Sequence, residues 1–199
     1  SSGHMGIKTL EEFLKIPELS KVKVLLIKGE KRNKLVKKLA NANKGKVEIT
    51  YGDISNKEDV IKVVDKCDYV FNLAAVIPPK SDKYPELSYL ANELGPHNII
   101  EAIEERPSIK FIDITSVALY GHRNAKHPFE RVGDPLLPSV FDVYAAHKLR
   151  GEFHILESNI PYFAVIRQTA MIYLEMLNNN MSDGLMFHTP WNAPFEWIT

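Results

Sequence analysis

Tyr144 and Lys148 are separated by Ala145, Ala146 and His147, so on a helix the phenol and the ammonium share one face. A phenol with an unperturbed pKa near ~10 is a poor base at neutral pH. A nearby ammonium favours the phenolate and lowers that pKa. Upstream, Thr115-Ser116 closes an apolar run, where a hydroxyl can polarise a carbonyl oxygen. Together these residues point to proton transfer at a hydroxyl or carbonyl oxygen. A Tyr-x-x-x-Lys spacing alone is equally an ordinary helix surface; Ser116 and its strand favour the chemical reading.

Other residues suit the holding of a nucleotide. Gly3-x-x-Gly6 runs directly into a helical pattern, the spacing that lets a backbone approach a pyrophosphate at a helix N-terminus. Ser-Ser-Gly and His-Met also occur in expression tags, so a vector remnant is the competing reading. Gly52-Asp53-Ile54 closes a strand, and Asp53 could accept a hydrogen bond from an adenine amino group or simply form a turn with Ser55. Asn72-Leu73-Ala74-Ala75 ends the next strand with side chains small enough for a ligand, or a helix, to lie close. His4, His122, His127, His147, His154 and His188 lack the paired spacing of a zinc site, so no metal is expected. Pro78-Pro79 is expected to shape a loop over the nucleotide, and Leu185-Met186-Phe187 with Trp191 to line a substrate side or a core surface.

These residues need elements to position them. The 199 residues are 45% hydrophobic, enough for one globular domain. With 25 Lys+Arg against 25 Asp+Glu, the zero net charge disfavours nucleic acid as a partner. The lone Cys67 excludes an internal disulfide and fits a reducing, cytoplasmic setting. Apolar runs fall far short of the ~20 residues that span a bilayer, and no secretory pattern opens the chain. Strand signals at Val22–Ile27, Val47–Tyr51, Tyr69–Leu73, Lys110–Ile114 and Tyr162–Arg167 alternate with helical ones. The helices are expected at Ile7–Lys15, Lys31–Ala42 (Leu35, Val36 and Leu39 inward), after Ser55, around Glu86–Ile103 and over Phe141–Glu157. Ser55 with Glu58 reads as a capping box, ahead of an apolar face of Val60, Ile61 and Val64. Tyr69–Leu73 reads as a strand buried on both faces. The alternation specifies an α/β class with a doubly wound parallel sheet.

Taken together, the motifs resemble the extended short-chain dehydrogenase/reductases of the NAD-dependent epimerase/dehydratase family. Gly3-x-x-Gly6 resembles the end of the family's glycine turn, Gly52-Asp53-Ile54 its Gly-Asp-Leu/Ile segment, and Asn72–Ala75 its strand end. Asn92 and Gly95 match its Asn-x-x-Gly helix, Ser116 with Tyr120-Gly121 its Ser-x-x-x-Tyr-Gly, and Ile166-Arg167 its Leu-Arg strand end. The resemblance implies Tyr144 as acid/base, Lys148 lowering its pKa and holding the nicotinamide ribose, and Ser116 orienting the substrate oxygen. It also implies Gly3, Gly6, Lys28, Arg32, Asp53, Ile54, Asn72, Leu73, Ala74, Ala75, Asn92, Tyr144, Lys148 and Arg167 around the cofactor. The implied activity is that of an NAD(P)-dependent oxidoreductase or epimerase on a small hydroxyl- or carbonyl-bearing substrate. A non-catalytic dinucleotide-binding sensor or scaffold is the alternative.

Departures from the family shape further expectations. Val117-Ala118 stand where its sugar dehydratases carry Asp-Glu, which disfavours 4,6-dehydration. Lys28, Lys31 and Arg32 at the end of the second family strand, with Glu30 placed late, favour NADP over NAD. The resemblance implies a Rossmann-like domain over residues 1–199, with residues 170–199 opening the substrate-binding part and most of that lobe absent. Residues Phe195–Thr199 resemble the strand leading into it. It also implies a homodimer through the Glu86–Ile103 and Phe141–Glu157 helices. The family's first strand is absent from the sequence, so Val22–Ile27 and Tyr69–Leu73 are each expected to lack a neighbour unless upstream residues or a substitute strand fill the place.

Overall fold

The computed structural model describes residues 2–121, 126 and 130–169. Helix α1 (His4–Phe13) leads to β1 (Val22–Leu26), α2 (Asn33–Ala42), β2 (Val47–Tyr51), α3 (Lys57–Val64) and β3 (Tyr69–Asn72). Two short helices follow, α4 (Lys80–Lys83) and α5 (Pro85–Tyr89), then a π turn (Leu90–Leu94) and α6 (Gly95–Ile103). Strand β4 (Lys110–Ser116), a 3-10 turn (Val117–Tyr120), α7 (Val143–Leu156) and β5 (Phe163–Gln168) complete the described elements. The anticipated α/β alternation is present, and every strand pair is parallel.

The sheet is in two pieces. Strand β1 pairs with β2, and β3, β4 and β5 pair in that order. Among the described residues no strand joins β1 to β3, as the sequence led us to expect. The space between them opens into a cavity of about 190 Å³ lined by Leu25, Val60, Val64, Val70 and Ile99. A second cavity, of about 510 Å³, lies beside α1 and is lined by Phe13, Ile16, Val22 and Phe71.

Two cores follow from that division. Ile7 and Leu10 of α1 and Val36 of α2 bury against Val24 and Leu26 of β1. Val60 and Val64 of α3, Ile99, Ile100 and Ile103 of α6 and Ile155 of α7 surround Phe111 of β4. Burying a side chain such as Phe111 contributes roughly 1.5–3 kcal/mol.

Several sequence expectations require correction. Asn56, not Ser55, caps α3: its side chain accepts from the Asp59 amide at 3.0 Å. Ser55 is drawn back to Asp53, whose Oδ1 accepts from both its amide and its hydroxyl. That Asx turn delays the helix start. Ile61 and Leu35 face solvent, because the shifted helix phases put Val60 with Val64, and Asn33 with Val36, inward. Tyr69 and Phe71 are 53% and 40% exposed rather than buried, since their strand has a neighbour on one side only.

The Glu86–Ile103 helix is interrupted. Pro96 has no amide to donate to the Asn92 carbonyl, so the regular ladder opens into the π turn. Gly151 of α7 packs against that freed carbonyl, where a Cβ would collide with it.

Candidate active site

Ser116 lies at the carboxyl end of β4, three residues beyond Asp113, which pairs in register with Asn72 of β3. Its Oγ accepts from the Ala118 amide at 3.1 Å, which fixes the hydroxyl at the start of the 3-10 turn. Asp142 caps α7 by accepting from the Ala145 amide at 2.9 Å, which sets the helix one residue ahead of Tyr144. Tyr144 is thereby brought beside Ser116, close enough for the serine hydroxyl to act on the phenol. The tyrosine and serine singled out from sequence are thus brought together.

The electrostatics differ from expectation. Burial pushes the Tyr144 phenol above its ordinary range, the Ser116 hydrogen bond pulls it back, and the Asp142 and Asp113 carboxylates raise it further. The expected lowering by Lys148 is not part of this balance, because that ammonium is turned into the protein. Lys148 is 2% exposed, and its Nζ donates to the Ile114 carbonyl at 2.8 Å. Burial pushes the Lys148 ammonium down, and Asp113 opposes the shift.

The residues expected around a cofactor fall into two groups. Ile54, Asn72, Leu73 and Ala74, together with Ser2, Ile27 and Gly52, which were not expected there, rim the smaller cavity at the carboxyl ends of β1, β2 and β3, the edge where open α/β sheets bind ligands. Gly3 is the N-cap of α1, and a Cβ there would meet nothing within 4 Å. The first amides of α1 have no intrahelical partner, and its first turn holds no acidic residue. Gly6 is buried one turn in. Arg32 comes from the α2 N-cap to within 2.9 Å of His4 Nε2, at the start of α1. Lys28 is exposed in the loop after β1, and Ala75 is exposed after β3.

The second group is occupied in holding the protein together. Asn72 donates to Asp113 Oδ1 at 2.6 Å and accepts from the Ala74 amide at 3.2 Å. Asn92 accepts from the Val76 amide at 3.1 Å and donates to its carbonyl at 2.8 Å, pinning the loop after β3. Arg167 pairs with the fully buried Glu152 and donates to the Tyr120 hydroxyl at 2.7 Å. That pairing with Glu152 is the main reason its guanidinium is raised. Asp53 spends one carboxylate oxygen on Ser55. These side chains shape the site through their neighbours in this structure. His122, His127, His188, Leu185-Met186-Phe187, Trp191 and Phe195–Thr199 lie outside the described residues, as does the whole of 170–199.

Asp113 and Glu152 were not singled out from sequence. A carboxylate at the centre of the apolar run Lys110–Ile114 was the available signal, since a buried parallel strand seldom carries one. Glu152 continues the Tyr144–Lys148 face by one more turn.

A family model for the NAD dependent epimerase/dehydratase family matches residues 2–172. The chain belongs to that family. Among solved structures it is similar to the UDP-Glc/GlcNAc 4-epimerase of Campylobacter jejuni, with a TM-score of 0.71 and 25% identity over 88% of this chain and 54% of that one. The dTDP-glucose 4,6-dehydratase of Bacillus anthracis, solved with NAD, gives a TM-score of 0.72 and 20% identity over 92% of this chain and 59% of that one, a likeness of fold. A 3beta-hydroxysteroid-dehydrogenase/decarboxylase of Arabidopsis thaliana is 31% identical over 120 residues, 58% of this chain and 26% of the relative. The chain therefore spans about a quarter of that curated relative and a little over half of the two solved structures. Among the described residues no helix is long and apolar enough to cross a membrane.

Proposed function

We propose that this family member carries the dinucleotide-binding and proton-transfer part of an NAD(P)-dependent dehydrogenase, reductase or epimerase. Its substrate is a small molecule bearing a hydroxyl or carbonyl. The observation that carries this reading is the placement of Tyr144 beside Ser116 at the carboxyl end of β4, with Lys148 one helical turn away. Strand β4 runs parallel to β3, so the pair stands at the same carboxyl edge as Asn72, Leu73 and Ala74, which line the smaller cavity. A protein that only binds a dinucleotide has no need of a paired hydroxyl and phenol there.

The residues present fit a nicotinamide dinucleotide. Gly3, Gly6 and the N-terminal end of α1 would hold the pyrophosphate, with Asp53 and Ile54 beside the adenine. Leu73, Ala74 and Ala75 would form a wall, kept in place by Asn72 and Asn92. Lys28 and Arg32 favour a 2′-phosphate, hence NADP over NAD. Arg167 supports α7 through Glu152, and so supports Tyr144 and Lys148 on the same helix. When bound, the nicotinamide supplies or accepts the hydride.

Tyr144 moves the accompanying proton. Because burial holds the phenol above its ordinary range, it is protonated at neutral pH and ready to donate to a carbonyl oxygen as that oxygen gains charge. In the reverse direction Tyr144, as the phenolate, takes the substrate hydroxyl proton. Ser116, already fixed by Ala118, aligns the reacting oxygen with the phenol. Lys148, its Nζ anchored on the Ile114 carbonyl, would stand beside the nicotinamide ribose in this reading. Val117-Ala118 place no acid beside Ser116, so oxidoreduction or epimerisation is favoured over 4,6-dehydration. A homodimer through α6 and α7 belongs to the same reading.

The test is Tyr144→Phe in the complete protein. Turnover is expected to fall by about 10²–10⁴-fold with cofactor affinity retained. Unchanged turnover would remove Tyr144 from the chemistry, and cofactor binding without turnover in the unaltered protein would favour the binding-only alternative.

A further inference from the structure

His147 stands between Tyr144 and Lys148 in the chain but has no place in the proton transfer. Its ring meets α5. Its Nδ1 is 3.0 Å from the Oγ of Ser88, which is fully buried, and the Tyr89 ring lies edge-on to it with centroids 6.0 Å apart. The Asn92 side chain donates to the same Ser88 oxygen at 3.0 Å. Asn92 also holds both the amide and the carbonyl of Val76, in the loop after β3. Because Asn92 already donates to the Ser88 oxygen, the serine proton needs an acceptor, and among the described residues His147 Nδ1 is the one in reach. Burial pushes the imidazole down, with Glu93 opposing and Arg150 adding to the shift, so the ring is neutral at pH 7. With its proton on Nε2, such a ring accepts at Nδ1. A hydrogen-bonded path then runs from Val76 through Asn92 and Ser88 to His147.

We propose that His147 is a positioning residue: through Ser88 and Asn92 it ties α7 to the loop after β3, and so sets the distance between Tyr144 and a ligand lying against Leu73 and Ala74. The proposal rests on the reading of Tyr144 and Lys148 as the proton-transfer pair and of that loop as the cofactor wall. The tie is made on the same helical turn that carries both groups. Gly151, one turn further along the His147 face, packs against the Asn92 carbonyl. Two residues of α7 therefore meet the same anchor, one through a side-chain bond and one through backbone contact. Without His147 the buried Ser88 proton has no acceptor, and the serine no longer braces Asn92 against Val76. Packing at Gly151 still holds the helix near, but the spacing of wall and phenol is no longer fixed. A misplacement of about 1 Å between reacting groups costs about 10²-fold in rate.

His147→Leu tests this by removing the acceptor while keeping an apolar side chain in the space. His147→Asn returns an amide oxygen close to the place of Nδ1. Hydrogen exchange is followed first, in the chain without cofactor or substrate. The Val76 amide, whose acceptor is the Asn92 side chain, is expected to exchange about tenfold faster in His147→Leu and in Ser88→Ala, and to slow again in His147→Asn. Ile112, in the centre of β4, should keep its rate. An unmoved Val76 in His147→Leu overturns the tie, and so does an Ile112 that speeds up as much as Val76. Should His147→Leu fail to fold, Ser88→Ala breaks the same bond from the other side and decides by the same amide. In the complete protein kcat is expected to fall about tenfold in His147→Leu, with substrate KM within about twofold, and to recover in His147→Asn. An unchanged kcat in a variant whose Val76 has been freed overturns the positioning role. Faster Val76 exchange in a protein that turns nothing over would sink the proposed reaction and leave the tie between helix and loop standing.

Discussion

Arg32 illustrates what one side chain can decide. In the proposed reading Lys28 and Arg32 answer a 2′-phosphate, and Arg32 reaches the start of α1, at 2.9 Å from His4. A guanidinium answering a phosphate is worth about 1.5–3 kcal/mol, so Arg32→Ala should weaken NADP by roughly tenfold or more and leave NAD nearly unchanged. Titrating both cofactors against both proteins measures this; an equal loss for the two would remove the discriminating role. The same scale holds the departure at Tyr144. The Tyr-x-x-x-Lys spacing correctly places two groups on one helix face, but the lysine's Nζ donates to the Ile114 carbonyl. Spacing fixes which face a residue occupies; the backbone carbonyl it meets across the interface fixes where the ammonium goes.

At the scale of elements, the junction of α6 and α7 holds the site. Pro96 opens the ladder at Asn92, the Asn92 side chain pins Val76, and Gly151 lets α7 approach the freed carbonyl. Gly151→Ala puts a methyl group into backbone, with no flexible side chain to yield. The expected destabilisation is about 1–3 kcal/mol, read as a lowered midpoint in urea unfolding. A stability equal to that of the unaltered chain would mean that the helices can separate freely. Most element positions were legible from sequence: β2 matches its expected bounds residue for residue, and the other strands differ at their ends by one or two residues. The π turn was not legible, because periodicity reports which residues face inward and says little about where the ladder breaks.

The whole molecule is governed by its divided sheet. Strand β4 is paired on both sides, whereas β1 and β3 each present one free edge toward the space between them. In a parallel ladder alternate amides point to opposite sides, and Val22 donates to Lys46 beside β2, so Lys23 and Leu25 direct theirs to the free edge. Hydrogen exchange at Lys23 and Leu25 should therefore be much faster than at Ile112 in the centre of β4. Equal protection would mean that something pairs with the free edge in solution. The exposed Tyr69 and Phe71 follow from the same division, because one missing neighbour uncovers side chains that the apolar run reads as buried.

The amino-acid sequence by itself determined the α/β alternation, the parallel strands and the site's residue types, since these depend on periodicity and on local spacing. Ser116 and Tyr144 were legible as a pair because each stands at an element terminus that local signals define. Only the tertiary structure decided which side chains are spent on the fold. Asn72, Asn92 and Arg167 carry the right chemistry for a ligand, yet their partners Asp113, Val76 and Glu152 lie 41, 16 and 15 residues away in the chain. A buried polar group takes whichever partner satisfies it best, and that choice is fixed by packing across the two cores.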